Sequence, residues 1–197
     1  MSAVNEAIVR EFFELHGFFV LQQRKYITPN VREDDDVDFF VLNPHHAPRP
    51  SLPFVLGADD LPGIARALVV VKGWHTETFS PSTLVSSPEI FRFLEPLSLQ
   101  QAAKSFGGDG TLTKLLVVPT LPTGAEARAQ SIELLKSKGI DAVLPFRTML
   151  ADLIDRVEVN RNYQKSDLLQ VIRILKNYDF VREKQLELFK AKRKGKR

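Results

Sequence analysis

The sequence predicts an α/β protein, a mixed β-sheet flanked by helices and followed by a helical C-terminal extension. Three observations carry that expectation. The 197 residues alternate in kind: a helix, three strands, a helix, a strand, a helix, a strand, then helices. The first three strands lie close together, almost as a meander, whereas the later ones are joined through helices. Residues 67–71 (ALVVV) form an uninterrupted apolar run, the mark of a strand covered on both faces.

Each element has its own signal. In residues 4–16, Val4, Ile8, Phe12 and Leu15 share one helical side, Val9 and Phe13 widen it, and Gly17 stops the helix. Phe18–Leu21 reads as a strand continuing toward Tyr26, and Pro29-Asn30 with the acids of 33–36 as a turn. Residues 37–42 (VDFFVL) form a second strand, ended by Asn43-Pro44. Five prolines make 44–63 an irregular connection. A third strand covers 67–72. Residues 74–87, rich in Ser and Thr, read as a loop, and Ser87-Pro88-Glu89 opens a short helix to Leu94. A loop at 105–111 precedes a fourth strand at 115–118. A helix over 125–138 ends at Gly139. Residues 141–146 form a fifth strand, placed at an edge by Pro145. Helices follow over 148–157, after a cap at Ser166, and from about Val181 into the tail.

Composition narrows the function. Hydrophobic residues make up 44% and charged residues 26%, which excludes wholesale disorder. The absence of cysteine excludes disulfide scaffolds, thiolate zinc sites and cysteine nucleophiles. Glu6, Arg10 and Glu11 interrupt any signal-peptide core, and no apolar run is long enough to span a bilayer, so a cytoplasmic protein without a membrane partner is expected. The net charge of +3 is unevenly placed. Six of the 27 basic residues lie in 190–197, so the rest of the chain sets 21 basic residues against 24 acids. A slightly acidic body carries a basic tail.

Two charges stand in apolar strands, Asp38 and Lys72. Side chains alternate along a strand, so Val70 and Lys72 share a direction. A carboxylate and a lysine at neighbouring strand ends can bind a divalent cation and steady a phosphate. They can equally mark strands emerging into water.

The order of these pieces resembles the PD-(D/E)XK nuclease superfamily, with its restriction-endonuclease-like fold. The matching segments are Asp36-Val37-Asp38-Phe39-Phe40-Val41-Leu42 and Val69-Val70-Val71-Lys72-Gly73, with Glu6 on the preceding helix similar to the helix glutamate of archaeal Holliday-junction resolvases. The resemblance covers roughly 4–146. It implies a nuclease-like domain at 1–146, a helical extension at 147–189 and a basic tail at 190–197. It also implies metal-dependent hydrolysis of phosphodiester bonds, with Mg2+ or Mn2+ as the cofactor and nucleic acid, DNA foremost, as the partner. Asp38 would hold the metal, Lys72 would orient water or stabilise the transition state, and Glu6 would be an auxiliary acid. The sequence departs from the family at Val70, where an acid or glutamine is usual. Glu89 would be the relocated acid ligand, although it also suits a helix's first turn. With valine in that place, a non-catalytic nucleic-acid-binding or assembly module on the same fold is the alternative.

Other features have two readings each. Trp74 could stack on a base or cover the end of the sheet. His75 could contact phosphate, act as a base or lie in a solvated loop. Lys192, Arg193 and Lys194 in the tail could contact phosphates or solubilise a chain end. His45-His46, the acids of 33–36 and Gly107-Gly108-Asp109-Gly110 lack the spacing of a metal or phosphate site. Leu168, Leu169, Ile172 and Leu175 could pack on a partner or on the sheet. A homo-oligomer is compatible with all of this.

Overall fold

The computed structural model describes residues 2–22, 37–96, 99–100 and 112–181. The chain divides into two compact units, Met1–Leu153 and Ile154–Arg197. The expected strand extension toward Tyr26, the acids of 33–36, the loop at 105–111, the last helix and the basic tail with Lys192, Arg193 and Lys194 lie outside the described residues.

In the first unit, helix α1 (Ala3–Leu15) is capped by the Ser2 hydroxyl, which accepts from Asn5 N–H. Gly17, at φ 80°, takes the left-handed turn after the helix that an L side chain resists. Five strands follow as one sheet, in the order β1-β2-β3-β4-β5. They are β1 (Phe19–Gln22), β2 (Phe39–Leu42), β3 (Arg66–Val71), β4 (Thr113–Val118) and β5 (Ala142–Pro145). The first three pair antiparallel, and β3-β4-β5 pair parallel. The sheet therefore changes sense at β3. This is the expected mixed sheet, with helices α2 (Pro81–Ser86), α3 (Ala125–Ser137) and α4 (Phe146–Arg156) completing the α/β fold.

Alternation along the strands divides the core in two. Phe40, Leu68, Val70, Leu116, Val118 and Val143 face Phe79, Leu84, Ile90, Phe93 and Leu135. Phe39, Val41, Val69, Val71, Leu115 and Val117 point the other way and are also buried. Gln22, opposite Phe39, hydrogen-bonds Glu6 and Arg10, which sets α1 on that second face. His16 Nε2 joins Asp152 Oδ2 at 2.8 Å and ties α1 to α4.

Three local expectations are corrected. Residues 74–87 contain the short helix α2, opened by the Ser80 hydroxyl accepting from Thr83 N–H and by Pro81. Pro88–Leu94 is a 3-10 helix, and Ser87 makes no side-chain cap to it. The proline-rich connection also holds a 3-10 turn, Ala58–Gly63. β5 does end the sheet, as Pro145 suggested, but its outer side exchanges hydrogen bonds between Val143 and both Phe54 and Leu56.

The second unit contains helix α5 (Asp167–Asn177), capped by Ser166 as the sequence suggested. Lys176, buried, donates from Nζ to Ile154 O and Val157 O. A lysine can be buried there because two carbonyls at a helix C-terminus satisfy its ammonium. Leu169 and Ile172 are buried, whereas Val171, Ile174 and Leu175 are exposed. No helix among the described residues is long and apolar enough to cross a membrane.

Candidate functional site at the end of the third strand

Of the sequence-predicted residues, Asp38, Lys72, Trp74 and His75 belong to the segment around Val71-Lys72-Gly73, where β3 ends. Asp38 lies just before β2, so its carboxylate reaches across to β3 and Oδ2 accepts from Val71 N–H at 2.7 Å. Asp38 N–H also donates to Val69 O, although Phe39 is the residue opposite Val69. Two residues thus meet one, as in a β-bulge, which re-aims a side chain at the end of a ladder. Lys72 N–H continues the parallel ladder by donating to Val117 O. Asp38 and Lys72 therefore stand one residue apart in contact terms, at the point where the sheet changes from antiparallel to parallel. Ligands of open α/β sheets favour crevices at the carboxyl ends of strands.

Glu6 lies on α1 beside Asn5 and is held by Gln22 of β1. Its neighbour Asn5 is buried and touches Gly73: a Cβ built at Gly73 would lie 1.8 Å from Asn5 Nδ2. Glycine is required there by close approach. Asn5 Oδ1 accepts from His75 Nε2 at 2.8 Å, and the His75 ring meets Phe146 edge-on with centroids 4.7 Å apart. Glu6 Oε2 accepts from Gln22 Nε2 at 2.6 Å, and Gln22 in turn accepts from Arg10. Alternation beyond Val71 directs Lys72 to the Val70 side, opposite the face that carries α1 and Glu6.

These contacts bear on the implied cation. Mg2+ and Mn2+ need several oxygen donors around one point. One Asp38 oxygen holds a strand N–H, one Glu6 oxygen holds Gln22, and Val70 is fully buried in the apolar cluster. Glu89 occupies the first turn of the Pro88–Leu94 3-10 helix. Among the described residues, no three His, Asp or Glu side chains gather as a metal-binding group. The donor set does not fit a resident divalent cation, and no catalytic step is derived through one.

The other side of the β3 end is open. Trp74 packs on the fully buried Phe79, with ring centroids 5.6 Å apart at 59°, and also joins the core cluster. It therefore covers the end of the sheet. It also lines a groove of about 740 Å³ together with Glu77 and hydroxyl side chains of residues 76–87. His45 is exposed, with its N–H held by Asn43 Oδ1.

Sequence reasoning missed Asn5, Gln22 and the groove. Asn5 was legible as a polar residue at helical spacing from Ile8, Val9 and Phe12 on the apolar side of α1. Ser80-Pro81 was a legible start for α2 inside the supposed loop. Gln22 carried no signal, because its role depends on pairing across the sheet.

Comparison of the chain with protein-family models, with curated proteins and with solved structures found no match.

Proposed function

We propose that the chain is a nuclease-derived nucleic-acid-binding protein on a restriction-endonuclease-like fold, with a degenerate hydrolytic site and DNA as its foremost partner. The observation that carries this reading is the Asp38–Val71 hydrogen bond, which brings the aspartate beside Lys72 at the strand where the sheet changes sense. The order of elements around that contact supports the same fold: one helix, an antiparallel trio, then parallel strands reached through helices. Binding without hydrolysis is favoured because the acids serve hydrogen bonds within the fold and Val70 fills the place of the missing one. Lys72 then acts as a phosphate contact at the strand end, and the basic tail adds nonspecific attraction.

A second reading, metal-dependent phosphodiester hydrolysis, draws on the same proximity of Asp38 and Lys72. In it the substrate phosphate would supply the oxygens that the protein lacks.

The test is fluorescence anisotropy of a labelled 20-nucleotide DNA at increasing salt, with the full chain, the Lys72→Ala variant and a chain lacking 190–197. Binding should weaken steeply with salt. Lys72→Ala should lower the affinity even in the tail-deleted chain. Binding that vanishes with the tail and ignores Lys72 would remove the strand end from the interface.

A further inference from the structure

We infer that the groove beside Trp74 is a pocket for a single unstacked nucleobase, and that Glu77 selects bases with a donor edge, guanine or cytosine over thymine. This rests on the nucleic-acid reading above and names the subsite within it.

The groove is built from the chain that leaves β3. Glu77 N–H donates to Trp74 O at 2.8 Å and closes a turn, and Phe79 N–H donates to Thr120 O at 3.0 Å and fixes the segment to the residues after β4. Phe79 is buried completely and backs the indole. The tryptophan is thus a stiff aromatic wall, pre-positioned before any ligand arrives. Stacking on such a wall accepts any planar base and contributes about 1–3 kcal/mol per base.

The polar lining is equally specific in kind. Thr83 Oγ1 donates to Thr78 O and lies 2.9 Å from Ser80 Oγ, and Ser86 Oγ donates to Thr83 O. The Thr83 and Ser86 hydroxyls are thus held by backbone carbonyls of α2 and of the segment before it. The lining includes one carboxylate, Glu77, and no Lys or Arg. A phosphate is therefore a poor occupant, and a group that donates hydrogen bonds is a good one. Guanine presents two adjacent N–H donors to the two oxygens of a carboxylate, and cytosine presents its amino group, whereas thymine offers one donor between two carbonyls. The nearest cation in the chain is Lys72, two residues before Trp74 and outside the groove's lining. A cation close by in the chain and an acid in the lining suit a nucleotide, with its charged phosphate and uncharged base. A neutral sugar has no use for the cation.

Trp74 is the sole tryptophan of the chain, so its indole N–H gives one signal in a nitrogen–proton correlation spectrum and reports this groove alone. The full chain is titrated with dGMP, dCMP, dTMP and a neutral oligosaccharide. Saturable shifts of that signal are expected with dGMP and dCMP, at affinities about tenfold or more above dTMP. Glu77→Gln should reduce that preference to about twofold while the dTMP shift persists. No shift with any nucleotide, a shift with the oligosaccharide alone, or equal responses to dGMP and dTMP unaltered by Glu77→Gln would each overturn the inference. The 20-nucleotide DNA separates this failure from that of the parent reading. DNA bound through Lys72 with a silent Trp74 signal sinks the base pocket alone. Mononucleotides that bind while DNA does not sink the parent reading alone.

Discussion

The two sides of the β3 end use the same kinds of residue in opposite ways. On the α1 side, Asn5, Glu6, Gln22 and Arg10 hydrogen-bond one another or His75, and Asp38 holds the Val71 N–H at the ladder's end. On the Trp74 side, Glu77 and hydroxyls line an open groove against a fixed aromatic wall. Charged residues within apolar elements attract a catalytic reading; here Glu6 and Asp38 each hold a hydrogen bond within the fold. The polar stretch that reads as an ordinary loop forms the surface on which a ligand could lie. Burial explains the contrast: a polar group inside an element must find a partner in the fold, whereas one on a short exposed helix keeps part of its capacity for solvent or ligand.

The largest expected effect breaks this comparison at Val70. An acid placed there to restore the family pattern would enter the apolar cluster of Leu68, Leu116 and Phe79. Val70→Glu should destabilise by more than about 3 kcal/mol, the cost of an unpaired buried charge, measured by urea unfolding. A stable variant with new Mn2+ affinity would show instead that position 70 opens onto a cation site.

Next comes Asp38. Asp38→Ala leaves the Val71 N–H without its carboxylate and should cost about 2–3 kcal/mol, while Asp38→Asn, which keeps an acceptor oxygen, should cost less than about 1.5 kcal/mol. Equal stability of Asp38→Ala and wild type would deny the residue its structural role. Gly73→Ala should cost about 1–3 kcal/mol, because its Cβ must displace the Asn5 carboxamide and with it the His75 hydrogen bond. The imidazole signals of His75 should shift in that variant and remain unchanged in Trp74→Phe.

The smallest effect sharpens the picture of α1. Partial burial raises the Glu14 pKa, with a further push from Glu11 and an opposing pull from Arg10. A carboxyl with a raised folded-state pKa binds protons more readily in the folded chain, so stability falls as pH rises from the unfolded to the folded value. Glu14→Gln should therefore raise the thermal midpoint slightly at neutral pH. The gain should disappear below the ordinary glutamate range, as thermal melts at the two pH values would record.

Much of this fold was legible in the sequence, because periodicity and punctuation are local. The apolar side of α1, the run in β3, Pro145 at the last strand and the Ser166 cap each act over a few residues. The site was legible only in part. Asp38 and Lys72 stood out as charges in strands, and Asp38 bonds the backbone of the residue before Lys72. Their engagement depends on register: Asp38 reaches Val71 because two residues share Val69. Gln22 could not be read as the partner of Glu6 without knowing that β1 pairs with β2 at Phe39. The groove stayed hidden because serines and threonines suit a loop and a capped short helix alike.

Under the proposed function, the acids at this strand end serve the fold rather than a hydrolytic centre. The most direct measurement is cleavage of supercoiled plasmid in Mg2+ or Mn2+ by the full chain, Asp38→Asn and Lys72→Ala, with DNA binding followed in the same samples. Salt-sensitive binding, and no cleavage above background by any of the three, is the expected result. Metal-dependent cleavage by the full chain that is lost in both variants would contradict it.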